Sequence, residues 1–481
     1  MPVRDLTVAS VDLYLAALVV ALLVLDLVLP RDWRKPKAAL AALGLLGGLG
    51  PVWLRGGLPP AMEFGGAYVV DDFALFFKAL VLVAGAVVAL LSVDYFRRLP
   101  RAYGEYYFLL AVVVLGCSLL VSAADLIVLY VAFEMVSLSS YVLAGYLRTD
   151  RRSNEAGLKY FLYGAAASAV MLYGLSWLYG LGQSTHLADL ARGLAGQGGT
   201  APAVAVALVL VGVGFKIAMA PFQAWVPDVY EGAPTPVTAF LSVAPKVAGF
   251  GLLLRLLGTV GNSALPTWPA ALAVLATLTM FAGNLMALRQ ANLKRMLGYS
   301  SVAHAGYLLI GVVVYWANVA NLQALLYYLV AYVIMNLGAF AVAIWVGRNS
   351  GRSLVSDYGG LARSEPVVAM VMSLFMLSLI GIPPTVGFMG KLLVFGAALR
   401  TSPWGWLAVV GIINAAISVY YYMNVVREMY FGPGQPRPLT ARPRAVTLTV
   451  AVLGLATLVL GIVPQWVMPA IRDLGQFLWG A

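Results

Sequence analysis

The feature that most constrains this chain is the repetition of apolar runs about 20 residues long, each bounded by a short polar or basic connection. A run of that length crosses a ~30 Å hydrocarbon layer as an α-helix. Backbone in lipid must satisfy its own hydrogen bonds, so helices are the natural solution. With 62% hydrophobic and 11% charged residues over 481 positions, there is too little polar material to coat a soluble domain. The chain is therefore expected to be all-α and integral to the membrane, a single membrane domain over 1–481 with about 14 transmembrane helices. Their expected limits are 11–30, 37–56, 69–93, 106–123, 125–147, 156–181, 202–221, 235–258, 267–288, 296–316, 322–347, 367–400, 403–430 and 445–468. The first run, Val11 to Pro30, is longer than a signal-peptide core and is read as a span. The tail, 465–481, carries Trp466, Arg472, Asp473, Phe477 and Trp479, which suits a short amphipathic helix lying at the interface.

Charge gives the orientation. Lys and Arg number 31 against 20 Asp and Glu, an excess that in a soluble protein would suggest nucleic acid. Here the basic residues fall mainly in loops between apolar runs, the pattern that orients membrane proteins, and no nucleic-acid partner is expected. Loops after odd-numbered spans hold groups such as Arg31, Arg34, Lys35 and Lys37, or Arg148, Arg151 and Arg152. Loops after even-numbered spans hold only Arg55, Arg192, Arg255 and Arg400. The positive-inside rule then puts the odd loops in the cytoplasm and both termini outside.

One cysteine, Cys117, and two distant histidines, His186 and His304, leave no ligand set for disulfides, iron–sulfur clusters, zinc or a bis-histidine haem. No metal site and no cofactor are expected in this chain.

Five basic residues remain inside predicted spans: Lys78, Lys159, Lys216, Lys246 and Lys391. All are lysine although arginine is commoner elsewhere in the chain, and lysine is the basic residue that can give up its proton when buried. A charge at the bilayer centre costs about 2.5–3.5 kcal/mol even on the lenient scale, so such groups usually face a polar interior and mark a pathway. Glu134 lies about 14 Å into the fifth span, with Ser137 and Tyr141 expected on its face at i+3 and i+7. Lys216 and Lys246 lie deep in the seventh and eighth spans, near Pro221 and Pro245; each proline is expected to interrupt its helix and bare a carbonyl for water or an ammonium. The twelfth run is about 34 residues, too long for one crossing, so Gly381-Ile382-Pro383-Pro384 should break it two turns before Lys391. Paired discontinuous helices in matching places of two halves are a transporter signature.

For several of these residues a structural role competes with a proton-carrying one. Lys78 could snorkel or pair with Asp71 on its own face. Glu155 and Lys159 form an i, i+4 pair at a cytoplasmic helix start, and His304, among small residues, reads as either a helix-contact residue or an accessory relay group. For Glu134, Lys216, Lys246 and Lys391 the competing role is a buried ion network, but such networks are often replaceable by apolar packing. Desolvation opposes charge on both lysine and glutamate, while proximity restores it, so an acid–lysine pair can switch a proton along the row Glu134, Lys216, Lys246, Lys391.

At these residues the chain resembles the antiporter-like subunits of respiratory complex I, relatives of the multi-subunit sodium/proton antiporter subunits, over nearly its whole length. The resemblance rests on Phe133-Glu134-Met135 with Ser137 to Tyr141, on Glu155 to Phe161, on Gly381 to Lys391, and above all on Phe215-Lys216 through Pro221-Phe-Gln-Ala-Trp225-Val-Pro227-Asp228-Val-Tyr230-Glu231 to Pro236. Three related subunits differ at the twelfth-span charge and in tail length; Lys391 and the lack of a long lateral helix resemble the N type. The resemblance implies two inverted five-helix repeats, about 106–258 and 267–430, with helices 7 and 12 discontinuous. It also implies proton transfer by Glu134, Lys216, Lys246 and Lys391, with Tyr141, Glu155, Lys159 and His304 as accessory candidates, driven by quinone reduction elsewhere. Quinone, NADH, FMN and iron–sulfur clusters would then reside in partner subunits, beside sister antiporter-like subunits, in a bacterial inner (plasma) membrane. A cation/proton antiporter assembly would use the same lysines without electron transfer. A lipid-modifying enzyme would need a polar catalytic loop, for which Asp228 to Glu231 is the only candidate.

Overall fold

The structure, a computed structural model, describes residues 9–28, 34–96, 105–197, 200–261, 267–350, 353–433, 444–472 and 474. In chain order the helices are α1 (Ser10–Val28), α2 (Arg34–Gly47), α3 (Leu49–Arg55), α4 (Asp72–Phe96), α5 (Glu105–Ser122), α6 (Leu126–Ala144), α7 (Arg151–Gly182) and α8 (Leu187–Leu194). They continue as α9 (Ala201–Ile217), α10 (Val226–Gly232), α11 (Thr235–Leu256), α12 (Trp268–Ala287), α13 (Leu293–Ala317) and α14 (Leu322–Ser350). The last are α15 (Leu361–Ser364), α16 (Pro366–Ile380), α17 (Val386–Arg400), α18 (Gly405–Phe431), α19 (Arg444–Ile462) and α20 (Met468–Ile471). Among the described residues, 12 segments are long and apolar enough to cross a membrane; α9 and α16 are shorter apolar helices. The protein is an all-α integral membrane protein.

One element departs from an all-helical reading. Val69 and Val70, expected to open the third span, instead belong to a small antiparallel hairpin of β1 (Ala61–Glu63) and β2 (Tyr68–Val70), with Ala61 opposite Val70, and the helix begins only at Asp72. Val69 belongs to the strand, because Gly65 and Gly66 adopt positive φ and turn the chain back before the helix can start. Of the expected interfacial tail, α20 and the short turn Pro464–Trp466 are helical, whereas Asp473, Phe477 and Trp479 lie outside the described residues.

Burial sorts the helices into a centre and a periphery. Every residue in the apolar window of α11 is buried (100%), and α13 follows at 94%, while α1 reaches only 22%. The central helices are buried on all sides by neighbours, and the peripheral ones keep one apolar face for lipid or partners. Glycines permit the closest crossings: at Gly283 and Gly306 a Cβ would run into the backbone of the facing helix, so α12 and α13 pack almost backbone to backbone.

Two helices are broken as expected, and a third is not. Helix α9 stops at Ile217, where Ala218 turns left-handed at φ 61°, so Pro221 lies beyond the helix end rather than inside it. Helix α16 stops at Ile380 with Gly381 at φ 94°, and α17 resumes at Val386, leaving Pro383 and Pro384 in the gap. By contrast, α11 runs unbroken through Pro245. Neighbouring helices cover every residue from Pro236 to Leu256, and this enclosure holds the helix across the missing backbone donor.

Candidate proton-transfer axis

Each deep charge sits at mid-height of its helix or at a break. Glu134 is about 12 Å above the start of α6 and Lys246 about 17 Å into α11, at 1.5 Å per residue. Lys216 immediately precedes the end of α9, and Lys391 follows the gap between α16 and α17.

The contacts divide these groups. Lys216 Nζ donates to Ser137 Oγ at 2.6 Å and lies 4.4 Å from the Phe133 ring centre. Ser137 in turn donates to the Phe133 carbonyl at 2.7 Å. Glu134 does not share that face. It lies half-buried beside Ile127, Val131 and Leu138, the exposed stripe of α6, and its carboxylate accepts from Ser168 of α7. Among the described residues no ion pair joins Glu134 to Lys216; they are linked only through consecutive turns of α6. Tyr141, on the same helix as Glu134, is buried over Gly164 of α7, and its side chain reaches close to Ser137 and Glu134.

Lys246 continues the row. Gly249, one turn further along α11, faces the Lys216 stem so closely that a Cβ there would touch Ile217 and Lys216 atoms. Lys246 Nζ donates to the Ser301 carbonyl at 2.5 Å and lies 5.5 Å from the Tyr332 ring centre. Tyr332 is 5.5 Å from the His304 ring, His304 is 5.6 Å from Tyr307, and Tyr307 is 4.8 Å from Lys391 Nζ. His304 is thus placed between Lys246 and Lys391. Its Nδ1 is 2.6 Å from the Tyr328 hydroxyl and its Nε2 is 3.2 Å from that of Tyr422, which also meets Ser300. Asn284 donates to Tyr307 and Asn414 and accepts from Tyr421 at 2.9 Å.

Lys391 is held differently. Its ammonium donates to the carbonyls of Leu379 (2.9 Å) and Ile380 (2.7 Å), the last residues of α16. A helix C-terminus leaves carbonyls without partners and carries partial negative charge, so the break supplies the cradle for the cation. The carbonyls expected to be bared beside Lys216 and Lys246 are not their partners: Lys216 meets a serine hydroxyl and Lys246 the Ser301 carbonyl, while bared helix-end carbonyls meet Lys391 instead.

Lys159 and Glu155 lie away from the row. Lys159 pairs with Glu155 at 2.7 Å and with Asp228 at 2.7 Å; Arg295 pairs with Asp228 at 2.6 Å and Glu231 at 3.1 Å. This partly exposed network ties α7 and α13 to the short helix α10. It occupies both carboxylates that a catalytic loop would have needed.

Four sequence expectations for charges are corrected. Lys78 pairs with Asp12 at 2.6 Å, not with Asp71, because Arg255 grips Asp71 with two guanidinium nitrogens at 3.0–3.1 Å. Arg255 is therefore no loop residue. Lys37, also read as a loop residue, is buried and pairs with Asp26 at 2.6 Å, and Lys294, in the basic segment before the tenth predicted span (296–316), is buried and donates to the Ala233 carbonyl at 2.7 Å. Sequence reasoning also missed the tyrosines around His304. Their signal was present, since Tyr328, Tyr332, Tyr421 and Tyr422 lie inside apolar spans, where a hydroxyl needs a partner.

Comparison with known proteins follows the same lines. The family model described as NADH:quinone oxidoreductase/Mrp antiporter, TM, matches residues 123–418. NADH-quinone oxidoreductase subunit N of Trichlorobacter lovleyi is 41% identical over 474 residues, covering 96% of each chain. The subunit N of Desulfitobacterium hafniense is 40% identical over 479 residues, again covering 96% of each. A chain of respiratory complex I from Thermus thermophilus matches with a TM-score of 0.81 at 37% identity, covering 95% of this chain and 98% of that one. A chain of the Mrp complex from Dietzia sp. shares the fold, with a TM-score of 0.84 at 22% identity over 99% and 98%. The chain belongs to the NADH:quinone oxidoreductase/Mrp antiporter family, as an antiporter-like membrane subunit of the complex I subunit N type.

Proposed function

We propose that this chain carries protons across the membrane as a subunit of an NADH:quinone oxidoreductase, through Glu134, Lys216, Lys246 and Lys391, with His304 as an intermediate group. The observation that carries the reading is the near-continuous row from Lys216 past Gly249 and Lys246, then through the rings of Tyr332, His304 and Tyr307 to Lys391. Three buried lysines share it, and among the described residues no acid pairs with any of them. Three ammonium groups in one desolvated seam repel one another, so adding a proton at one end favours release at the other. Glu134, at the edge of the chain, is placed to set the charge state of Lys216 through the Ser137 turn.

In this reading the two halves, about 106–258 and 267–430, are inverted repeats, each contributing one broken helix. The chain carries no cofactor; flavin, iron–sulfur clusters and the quinone site belong to partner subunits, and the energy arrives from them through the membrane arm. The basic loops face the cytoplasm of a bacterial inner membrane, with both termini outside. Glu155 and Lys159 act at the cytoplasmic end as part of the Asp228 network, where protons enter.

The test is the proton-to-electron ratio of the purified complex in sealed vesicles. Lys216→Ala and Lys391→Ala should each lower it while the complex still assembles; a normal ratio in both sinks the relay. The Mrp half of the family description favours a second reading, a cation/proton antiporter subunit. Native co-purification separates the two: flavin and iron–sulfur subunits should accompany this chain, and a complex without them supports the antiporter.

A further inference from the structure

Outside the row, the chain buries a second set of titratable groups where α1, α4, α5 and the hairpin meet. Lys78 is fully buried and Asp12 is 6% exposed. The Asp12 carboxylate accepts from Lys78, Tyr68 and Ser118, which come from three different elements. Lys78 also donates to the Tyr68 hydroxyl at 2.7 Å. Amine, phenol and carboxylate therefore close a ring in which each group can pass a proton to the next.

A second buried pair lies beside the first. Asp71, about 10 Å from Lys78 along α4 at 1.5 Å per residue, is held by Arg255, which also donates to the Val121 carbonyl at 3.0 Å. The two pairs use different cations. Arginine does not give up its proton in a protein, so the Arg255 pair clamps α11 to α4 and does nothing else. Lysine can give up its proton, and its partner is reached both directly and through a phenol. A pair needed only for anchoring gains nothing from that arrangement. Helix α11 also connects the two places: Arg255 is nine residues, about 13.5 Å, beyond Lys246 on one unbroken helix.

We propose that Asp12, Tyr68 and Lys78 form a proton-holding site separate from the Glu134–Lys391 row, at the end of the bundle that the basic loops place outside. The ligand is a proton delivered by water. Empty, the site holds one proton shared between the Lys78 nitrogen and the Asp12 oxygens. Loaded, it holds two, as ammonium and carboxylic acid, with the buried Ser122 hydroxyl of α5 beside Tyr68. Within the ring, a Lys78 N–H bond breaks as a Tyr68 O–H forms, while the original phenol proton moves to Asp12. Asp71 and Arg255 are the other charged groups facing the site, and they cancel each other.

This inference rests on the proton-translocating reading, and the test separates the two. Lys78→Arg keeps the buried ion pair but cannot release its proton. In the purified complex in sealed vesicles, it should lower the proton-to-electron ratio as much as Lys78→Met does. A ratio equal to the unaltered complex, with Lys216→Ala and Lys391→Ala both impaired, overturns this site alone. Normal ratios in Lys216→Ala and Lys391→Ala overturn the relay and this site with it. Should Lys78→Arg fail to assemble, Tyr68→Phe decides: it keeps both charges and deletes only the bridging hydroxyl. A lowered ratio there supports the site, and an unchanged one overturns it.

Discussion

The two broken helices hold their lysines in opposite ways. Before the first break, Lys216 leans on a serine hydroxyl and the face of Phe133, with Glu134 one turn away on the neighbouring helix. After the second, Lys391 sits on two carbonyls at the end of α16, over Tyr307, with no acid paired to it among the described residues. A hydroxyl both accepts and donates, so it can follow the lysine through a change of protonation. Carbonyls only accept, and a helix C-terminus favours the cation permanently. The first break is thus suited to exchanging a proton and the second to retaining one until something displaces it.

Substitutions can break or sharpen this contrast. Lys391→Ala should have the largest effect. It strips two buried carbonyls of their donor, at about 1–3 kcal/mol each, and should also reduce pumping on the order of tenfold or more. Lys216→Ala should reduce pumping similarly but lower thermal stability less, since Ser137 keeps its bond to the Phe133 carbonyl; equal melting of the two variants would undo the distinction. Ser137→Ala comes next. It removes the hydroxyl that accepts from the Lys216 ammonium, and pumping should slow severalfold, whereas Ser378→Ala, near the second break, should leave pumping unchanged. If both serine variants behave alike, the hydroxyl at the first break has no special role. The smallest effects belong to the link between the breaks: Tyr328→Phe or Tyr422→Phe removes one of two bonds to His304 and should slow turnover about twofold, at a stability cost of about 1 kcal/mol. Loss of both hydroxyls should exceed the sum of the single losses, and strict additivity would argue that His304 is merely packed.

The ion network around Asp228 offers a control. Its members are about a third exposed, so Asp228→Asn should cost under about 1 kcal/mol in stability. It should act on proton entry, with no change in the environment of Lys391.

Much of this architecture was legible before any coordinates. Span lengths follow from the thickness of the bilayer, and the break before Lys391 follows from a run too long for one crossing with Gly-Ile-Pro-Pro in its middle. The lysines stood out because charge in apolar sequence is expensive and therefore purposeful. Local sequence reasoning failed where a rule about one residue met the whole fold. Proline marks a break in an isolated helix, but α11 is enclosed along its length and Pro245 does not end it. Helical spacing put Ser137 near Glu134 but did not say which neighbour each would meet: Glu134 reaches Ser168 of α7, and Ser137 meets Lys216 of α9.

Pairing was beyond the sequence altogether. Lys78 meets Asp12 from 66 residues away and Asp71 meets Arg255 from 184. Hydrophobic periodicity states that a face is buried and not what buries it. The composition, the number and placement of apolar runs, and the positions of Glu134, Lys216, Lys246 and Lys391 were determined by the amino-acid order alone, because each reflects the cost of placing a group in hydrocarbon. Which carboxylate, hydroxyl or bare carbonyl receives each ammonium was decided only when the helices packed, because electrostatic partners are chosen by distance in space.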